Sequence, residues 1–394
     1  MPVLLAALGM FGASLDSAVN VALPGMAEAF GVGPAAIRWV IIGYVLTYAL
    51  TALLAGLAAD RVGAGPVFTL GLVASAGVFL GYGLAPSYAA VLGLRVAQGV
   101  AGGLVYGAAP ALVTLSVPPE RRGRGLGLMT LGLGAGLALG PVVSGLLVQA
   151  WSWRAAFVFR APVMAAVAAS SLLAPPPRGV AAAPRGFLGL SEMLRWPVAR
   201  AAALALLANC AQFAVWLLAP FYLIAVRGLP PPAAGLAFTL APLATALGGP
   251  AGGWQADRRG PRGPVRAGLA LETAGLLLLA WSDADSSLGV AALGLVLVGL
   301  GVGVFQVPNL ADLMGAFPRA RQGAAGGLGF LARTLGSASG AQLAGAVFAV
   351  RVGGHGMVGA MQAAFLVAAA VAALGLGLAL APRPGPDRAD RRPE

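Results

Sequence analysis

The sequence predicts an all-α membrane protein built from two related halves, and two observations carry that prediction. First, 59% of the residues are hydrophobic and 10% are charged, whereas soluble domains have roughly half and a quarter, so lipid must be the main solvent of the chain. Second, the loop at 56–63 (GLAADRVG) recurs about half a chain later at 253–260 (GWQADRRG). A further pair of loops, at 121–123 (RRG) and 321–323 (RQG), follows the two copies at nearly the same interval.

Twelve hydrophobic runs are long enough to cross a bilayer, because about 20 helical residues span a hydrocarbon core of about 30 Å. They lie approximately at 3–23, 37–58, 66–84, 88–117, 125–149, 156–174, 199–224, 234–255, 265–281, 287–314, 324–350 and 357–381. We expect 1–174 to form a six-helix bundle and 199–381 a second one, related by a pseudo-two-fold axis. A cytoplasmic linker at 175–198 and a disordered tail at 382–394 complete the predicted organisation.

The arginines predict how the chain is oriented. All 25 basic residues are arginine, and most fall in loops on one side of the predicted helices. The positive-inside rule therefore predicts that both termini and the linker are cytoplasmic. The absence of lysine beside abundant Ala, Gly, Pro and Arg indicates a GC-rich bacterial genome, so we expect the inner membrane of a bacterium. The net charge of +12 then faces anionic lipid headgroups and not nucleic acid. The arginines assigned to the outer side are Arg38, Arg154, Arg160, Arg227 and Arg351.

Several kinds of chemistry have no residues to perform them. The chain contains no lysine, which excludes Walker phosphate loops and Schiff-base catalysis. The chain has one histidine, His355, and one cysteine, Cys210. These are too few for a Ser-His-Asp triad in the Gly-rich turn of His355, for a His-rich metal site or for an internal disulfide. We therefore expect no enzyme activity, metal or cofactor, and a monomer whose partners are a small molecule, protons and the bilayer.

Five stretches resemble the major facilitator superfamily, and specifically its drug:proton antiporters. The resemblance covers the whole first half and, more weakly, the second. Three departures occur: Ser17 and Ala18 replace the usual Thr-Ile pair, Ala64 and Gly65 replace the usual basic pair after the 56–63 loop, and Arg160 stands where an Asn is usual. The stretches are 15–24 (LDSAVNVALP), 56–63, 95–99 (RVAQG), 136–145 (GLALGPVVSG) and 153–157 (WRAAF) with the Pro162 that follows.

The resemblance implies the major facilitator fold and secondary transport by alternating access. The motif at 136–145 is associated with antiporters, so the leading expectation is export of an amphipathic drug or metabolite in exchange for protons. A dedicated metabolite exporter, or an importer of the same fold, is the alternative within transport. A membrane-embedded enzyme or a lipid flippase is less favoured, because the polar groups inside the membrane are few and form no nucleophile-base-metal set. A channel is weaker still, because no filter sequence stands out.

Asp16 and Arg95 are the predicted proton-coupling residues. Counted at about 1.5 Å per residue, they lie at similar depths in the first and fourth predicted helices, both of which line the central cavity in the family fold. An ionised side chain at that depth needs a partner or a wet cavity. We expect the two to interact, with Asp16 carrying the proton; the alternative is a static ion pair that only fixes helix packing.

The predicted cargo contacts are polar and aromatic residues at helical spacing. Flat rings can bind the apolar body of a cargo molecule, and amides can bind its polar groups. The alternative is that these rows of residues only pack the helices together. Arg333 has three possible partners, an anionic group, Asp312 or Glu272, and Glu272 is expected to reach the membrane interface. The predicted contacts are Asn20, Gln98, Tyr106, Asn209, Gln212, Phe213, Trp216, Phe305, Asn309 and Arg333.

The repeated loops predict a gate. Helix N-termini attract carboxylates, and the family geometry directs Asp60 at the helix that starts near Gly323 and Asp257 at the one that starts near Gly123. Together with Arg61 and Arg258, these residues are expected to close the cytoplasmic side; the alternative is that each Asp-Arg only caps a turn. Close packing and a bend are expected on the fifth helix at Gly136, Gly140 and Pro141.

Overall fold

The computed structural model describes residues 1–37, 39–175, 190–283 and 285–382, with side chains described except at 20, 34, 35, 190, 191, 231 and 232. Within these ranges every regular element is a helix, which agrees with the predicted all-α class. The helices, in chain order, are α1 (Pro2–Ser14), α2 (Val19–Phe30), α3 (Pro34–Ile37), α4 (Trp39–Val62), α5 (Ala64–Gly83), α6 (Tyr88–Ser116), α7 (Arg122–Ala150), α8 (Ala155–Val158), α9 (Arg160–Leu173), α10 (Leu190–Met193), α11 (Trp196–Phe221), α12 (Pro231–Arg259), α13 (Arg262–Trp281), α14 (Leu288–Gly315) and α15 (Gln322–Leu380).

Ten of the helical segments in the described ranges are long and apolar enough to cross a membrane. The count rises to eleven if the bent pair of α1 and α2 forms one span. The last segment, 59 residues of α15, is about twice the length that a bilayer requires. It contains a break at Gly356, where φ is +66° and ψ is −178°, close to the gap between the last two predicted helices.

The first predicted helix is not continuous, which corrects the prediction of a single run over 3–23. A 3₁₀ turn at Leu15–Ala18 separates α1 from α2, and the two helices meet at a bend of 55°. Contacts from α7 hold the turn: Ser17 Oγ donates to the carbonyl of Leu137 at 3.1 Å, and Ser144 Oγ donates to that of Ala18 at 2.8 Å. Hydropathy does not register the break, because the residues on both sides are apolar.

Close glycine contacts join the first half to the second. The position that a Cβ would take at Gly56 lies 2.1 Å from the carbonyl oxygen of Gly323, and the one at Gly123 lies 2.2 Å from that of Gly253. Since only a hydrogen fits at such distances, α4 lies backbone to backbone against α15, and α7 against α12. The same two helix pairs carry the repeated loops.

The linker and the tail fall mostly outside the described residues, at 176–189 and 383–394. At the end of the linker, α10 forms one short turn of helix and α11 already begins at Trp196, three residues earlier than the run predicted from hydropathy.

Candidate functional site

Asp16 lies at the centre of a buried polar cluster, in the 3₁₀ turn between α1 and α2. Its carboxylate accepts hydrogen bonds from Arg95, at 2.7 Å from Nη1 and 3.2 Å from Nη2, and from Gln98 Nε2 at 2.6 Å. Arg95, 1% exposed on α6, also donates from Nε to the carbonyl of Val40 at 2.5 Å. The structure thus brings Asp16 and Arg95 together as a bidentate, charge-assisted pair.

Arg160 belongs to the same cluster, and the sequence did not predict it. Its Nη1 lies 3.0 Å from Asp16 Oδ1, and its side chain is fully buried at the start of α9, which corrects its assignment to an outer loop. Its guanidinium carbon lies 4.2 Å from the ring centre of Phe79 and 5.2 Å from that of Phe157. Two of its nitrogens, Nε and Nη2, find no hydrogen-bond acceptor among the described residues, so the aromatic faces stabilise the charge.

The cluster has more positive than negative charge. Two arginines surround one carboxylate, and the atoms found in contact with that carboxylate are donors, which suits an ionised Asp16 because a protonated carboxyl needs an acceptor for its own hydrogen. The cluster therefore carries a net charge of +1 inside the helix bundle. Protonation of Asp16 would require one of the donors to move away.

Gln98, a predicted cargo contact, completes this cluster and does not line the central cavity. Its oxygen accepts from the hydroxyl of Tyr82 at 2.8 Å and from Arg95 at 2.9 Å, while its nitrogen donates to Asp16. The side chain is 2% exposed, so both ends of the amide are occupied within the protein. Arg95 and Gln98 are three residues apart on one helix, and that spacing places them on the same face.

A central cavity lies between the two halves, with α1, α4, α6 and α7 on one side and α11, α12, α14 and α15 on the other. It consists of two adjoining chambers of about 130 and 230 Å³. Of the predicted cargo contacts, those on its walls are Tyr106, Asn209, Gln212, Phe213, Trp216 and Arg333. The residues that line both chambers are Tyr48, Leu133, Leu137, Asn209, Arg333 and Ser337.

Besides Gln98, two predicted cargo contacts do not lie on these walls, Phe305 and Asn309. Phe305 and Asn309 are 1% and 4% exposed and line a small third void, which shares Asn209 and Arg333 with the two chambers. Asn309 Nδ2 donates to the carbonyl of Ala201 at 2.9 Å, so this amide packs α14 against α11. The side chain of Asn20 lies outside the described part of the structure.

Arg333 is held on the cavity wall by a neutral partner. With the amide of Gln306 oriented so that its oxygen faces the guanidinium, that oxygen accepts from Arg333 Nε at 2.8 Å and from Nη2 at 2.9 Å. Neither carboxylate suggested as its partner is in contact with it. Asp312 lies 4.0 Å from Arg200, and Glu272 is 0% exposed, which also corrects the expectation that Glu272 reaches the membrane interface.

A series of aromatic rings connects the Asp16 cluster to Arg333. Neighbouring groups lie 4.6 to 5.4 Å apart, measured between ring centroids or from a guanidinium carbon to a ring centroid. The series passes from α6 through α4 and back to α6 before it crosses to α15 in the second half. In order, its members are Arg95, Tyr44, Tyr48, Tyr106, Phe330 and Arg333.

Each repeated loop places its aspartate on the first amides of a helix in the other half. Asp60 accepts from the backbone nitrogens of Gly323 at 2.6 Å and Ala324 at 2.8 Å, and we call this contact the first clasp. Ala64 and Gly65, which replace the usual basic pair, do not prevent it. A carboxylate in this position satisfies two amides that lack partners within the helix and lies at the positive end of the helix dipole.

The second clasp has the same geometry. Asp257 accepts from the backbone nitrogens of Gly123 at 2.7 Å and Arg124 at 2.9 Å. The arginines that follow the two aspartates form no hydrogen bond or ion pair with them in the described part of the structure. Arg61 is exposed, and Arg258 is exposed and stacks at 4.1 Å on Trp254 of its own helix.

Glycines of α7 bring that helix against the turn that carries Asp16. A Cβ at Gly136 would lie 2.1 Å from Ser14 Oγ, and one at Gly140 would lie 2.3 Å from Ser17 Oγ. Pro141 follows inside the same helix. The predicted close packing at these glycines is therefore present, and it fixes the backbone around the polar cluster.

The sequence model of the Major Facilitator Superfamily matches residues 4–341. The chain belongs to this superfamily. It is therefore a multi-pass membrane transporter and not an enzyme.

Curated relatives include export and resistance proteins. The transporter is 29% identical to the tetracenomycin C resistance and export protein of Streptomyces glaucescens, over 89% of this chain and 76% of that one. It is 30% identical to the multidrug resistance protein Stp of Mycobacterium tuberculosis, over 87% and 74%. A riboflavin transporter of Clostridioides difficile is 25% identical over 81% of each chain.

Solved structures agree with the fold. The human organic anion transporter MFSD10 superposes with a TM-score of 0.79 at 20% identity, over 96% of this chain and 98% of that one. FucP in its outward conformation gives 0.75 at 18% identity, over the same shares of the two chains. At these identities the likeness concerns the fold of the transporter.

Proposed function

We propose that this transporter is a proton-coupled antiporter that exports an amphipathic small molecule across the bacterial plasma membrane, as a monomer. Twelve spans in two six-helix halves, residues 1–174 and 199–381, follow if α1 and α2 form one span and α15 is divided at Gly356. The linker at 175–198 joins the halves, and the tail at 382–394 and both termini are cytoplasmic. The arginine bias of the loops supports this orientation.

The observation that carries the proposal is the Asp16 cluster beside an aromatic cavity. The Asp16 side chain is 13% exposed, whereas the side chains of its partners Arg95 and Arg160 are 1% and 0% exposed. Arginine keeps its charge, so the carboxyl is the group in this cluster that can take up and release a proton. A proton that displaces one arginine would free that cation to interact with cargo or water.

Alternating access gives the two clasps a role. They hold α4 to α15 and α7 to α12 on one side of the membrane, which we assign to the cytoplasm. In the proposed cycle both clasps are closed in the outward-facing state and open as the halves rock about the central cavity. Gly136 and Gly140 keep α7 against α1, so that the two helices move together.

A transport assay in everted membrane vesicles tests the proposal. Tetracenomycin C and riboflavin, named for two relatives, are the first probes. Respiration acidifies the vesicle lumen, and an exporter that exchanges cargo for protons consumes part of this pH gradient while the probe accumulates inside. A pH-sensitive dye reports the gradient, and labelled probe reports the accumulation.

Asp16→Asn removes the proposed proton carrier with little change of shape. The variant is expected to reach the membrane in normal amounts and to lose probe-dependent consumption of the gradient. Asp285→Asn, an exposed aspartate in the loop before α14, is the matched control and should behave as the wild type. Full proton coupling by Asp16→Asn would contradict the assignment.

Metabolite transport is the second candidate, and the riboflavin transporter among the relatives favours it. Vesicles of the two orientations, everted and right-side-out, decide between the directions. An exporter accumulates probe when the lumen is acidic, whereas a proton-driven importer accumulates it in right-side-out vesicles with an acidic exterior.

A further inference from the structure

Arg333 is the charged residue among the described side chains that line the two chambers of the central cavity. The other walls are aliphatic, aromatic, amide or hydroxyl groups. A guanidinium carries five N–H donors, and Gln306 accepts from two of its nitrogens. Because Gln306 is neutral, the charge of Arg333 has no counter-ion within 4.0 Å in the described part of the chain.

The surroundings add to this positive charge. The Asp16 cluster carries a net charge of +1, since two arginines face a single carboxylate. Glu272, the other carboxyl buried deep in the described helices, does not line the cavity. In a low-dielectric setting such charges act over longer distances than they do in water, so the field in the cavity favours an anion and opposes a cation.

The cavity also offers flat apolar surfaces beside Arg333. Phe330 lies against the guanidinium at 5.2 Å, and Tyr48, Phe213 and Trp216 lie on the cavity walls. An aromatic ring bearing an acidic group matches both features, because the rings bind its body and the guanidinium binds its oxygens in a bidentate arrangement.

We propose that the cavity selects cargo that carries an anionic group on an aromatic body, and that Arg333 binds this group. The inference rests on the proposed function in that it assumes the cavity to be the cargo site, but it does not depend on proton coupling or direction. Carboxylates, sulfonates and acidic phenols share the required chemistry. Cationic amphipathic compounds are the class that the cavity disfavours.

Equilibrium dialysis with detergent-purified protein at pH 7 tests the inference without any gradient. Three probes share one ring system and differ in charge: 2-naphthoate is an anion, 2-naphthamide is neutral, and 2-(aminomethyl)naphthalene is a cation. Wild-type protein is expected to bind 2-naphthoate at least about tenfold more tightly than 2-naphthamide, the effect of one charge-assisted hydrogen-bonded pair. The cation is expected to bind most weakly.

Three variants identify the residue responsible. Arg333→Gln is expected to bind the anion and the amide equally, whereas Arg333→Lys keeps a preference for the anion. Arg351→Gln removes an exposed arginine from the same helix α15 and should match the wild type. Size-exclusion chromatography and circular dichroism establish that each variant is folded.

The inference is overturned if wild-type protein binds the three probes equally, prefers the cation, or shows no saturable binding of 2-naphthoate up to its solubility limit. It is also overturned if folded Arg333→Gln keeps the wild-type preference for the anion. If wild-type protein shows no proton coupling in vesicles but prefers 2-naphthoate in dialysis, the proposed antiport is refuted and this inference stands.

Discussion

Arg160 Nη1 lies 3.0 Å from Asp16 Oδ1, the same oxygen that accepts from Arg95 Nη1 at 2.7 Å. One carboxylate oxygen is therefore shared by two guanidinium groups from different helices, α6 and α9. A buried ion pair usually balances its charges, because desolvation of an unpaired ion is costly. This cluster does not balance, and Phe79 and Phe157 stabilise the excess charge on Arg160.

Removing Arg160 should change the pH dependence of transport. Its guanidinium lies 3.0 Å from the Asp16 carboxylate, and Arg160→Gln leaves Arg95 as the one arginine among the described residues that pairs with this carboxylate. We expect the midpoint of the pH profile of tetracenomycin C transport in everted vesicles to move away from that of the wild type. Arg154→Gln, which alters an arginine stacked on Trp153, is the control and should leave the midpoint in place. An unchanged midpoint for Arg160→Gln would separate Arg160 from the coupling step.

Gly140→Leu should disrupt the support of the Asp16 turn. The new side chain would collide with Ser17 Oγ at 2.3 Å and meet the carbonyl of Leu15 at 3.1 Å. Overpacking of this kind costs about 1–3 kcal/mol or more, and we expect a lower melting temperature and loss of transport. Gly145→Leu lies on the same helix with open space around it and should be tolerated. Normal transport by Gly140→Leu would show that the packing is dispensable.

Asp257→Asn should weaken the second clasp. The carboxylate accepts two backbone hydrogen bonds, and replacing it with an amide leaves a weaker acceptor without charge. We expect the state with the clasp closed to lose about 1–3 kcal/mol relative to the open one. Spin labels are attached to cysteines that replace the exposed Arg61 and Arg319, in a Cys210→Ser background. Double electron–electron resonance then reports opening as a larger population of long distances between the two labels.

The corresponding Asp60→Asn variant should open the same side, because the two clasps act on one movement in the proposed cycle. Asp285→Asn, in the loop before α14, serves as the control and should keep the wild-type distance distribution. If neither clasp variant changes that distribution, the aspartates only cap their helices.

Glu272→Leu should stabilise the fold. Glu272 is 0% exposed, and neither of its carboxyl oxygens has a hydrogen-bond partner among the described residues. A buried polar group without a partner costs about 1–3 kcal/mol, and leucine has a similar size without that cost. We expect a higher melting temperature in detergent. Glu120→Leu changes an exposed carboxylate and should have little effect, whereas a lower melting temperature for Glu272→Leu would reveal an interaction of the carboxyl that stabilises the protein.

The sequence was informative where local pattern decides the outcome. Apart from the first run and the last two, which merge into α15, hydrophobic runs predicted the long helices to within a few residues. The repeated loops predicted which aspartate meets which helix start. Tertiary contacts decided the rest. The break at Asp16 depends on contacts of Ser17 and Ala18 with α7, which supplies Ser144 and the glycines at the interface. These partners on α7 lie more than 100 residues further along the chain. No local pattern in an apolar run predicts such a contact.

Arg160 shows a second limit of sequence analysis. It lies 144 positions from Asp16, and beside the tryptophans at 151 and 153 an arginine is typical of a membrane interface. Only its departure from the family pattern set it apart. Gln98 could have been placed correctly, because its spacing from Arg95 puts both on one helix face, and a buried arginine requires several acceptors.

The clasps also bear on the order in which the protein is assembled. Asp60 meets its partner amide 263 positions further along the chain. At a synthesis rate of about 5–20 residues per second, roughly 13–50 seconds pass between the two emerging from the ribosome. During that interval the Asp60 carboxylate has no Gly323 amide to accept from. Closure of the first clasp therefore requires that the chain has been made at least as far as Gly323.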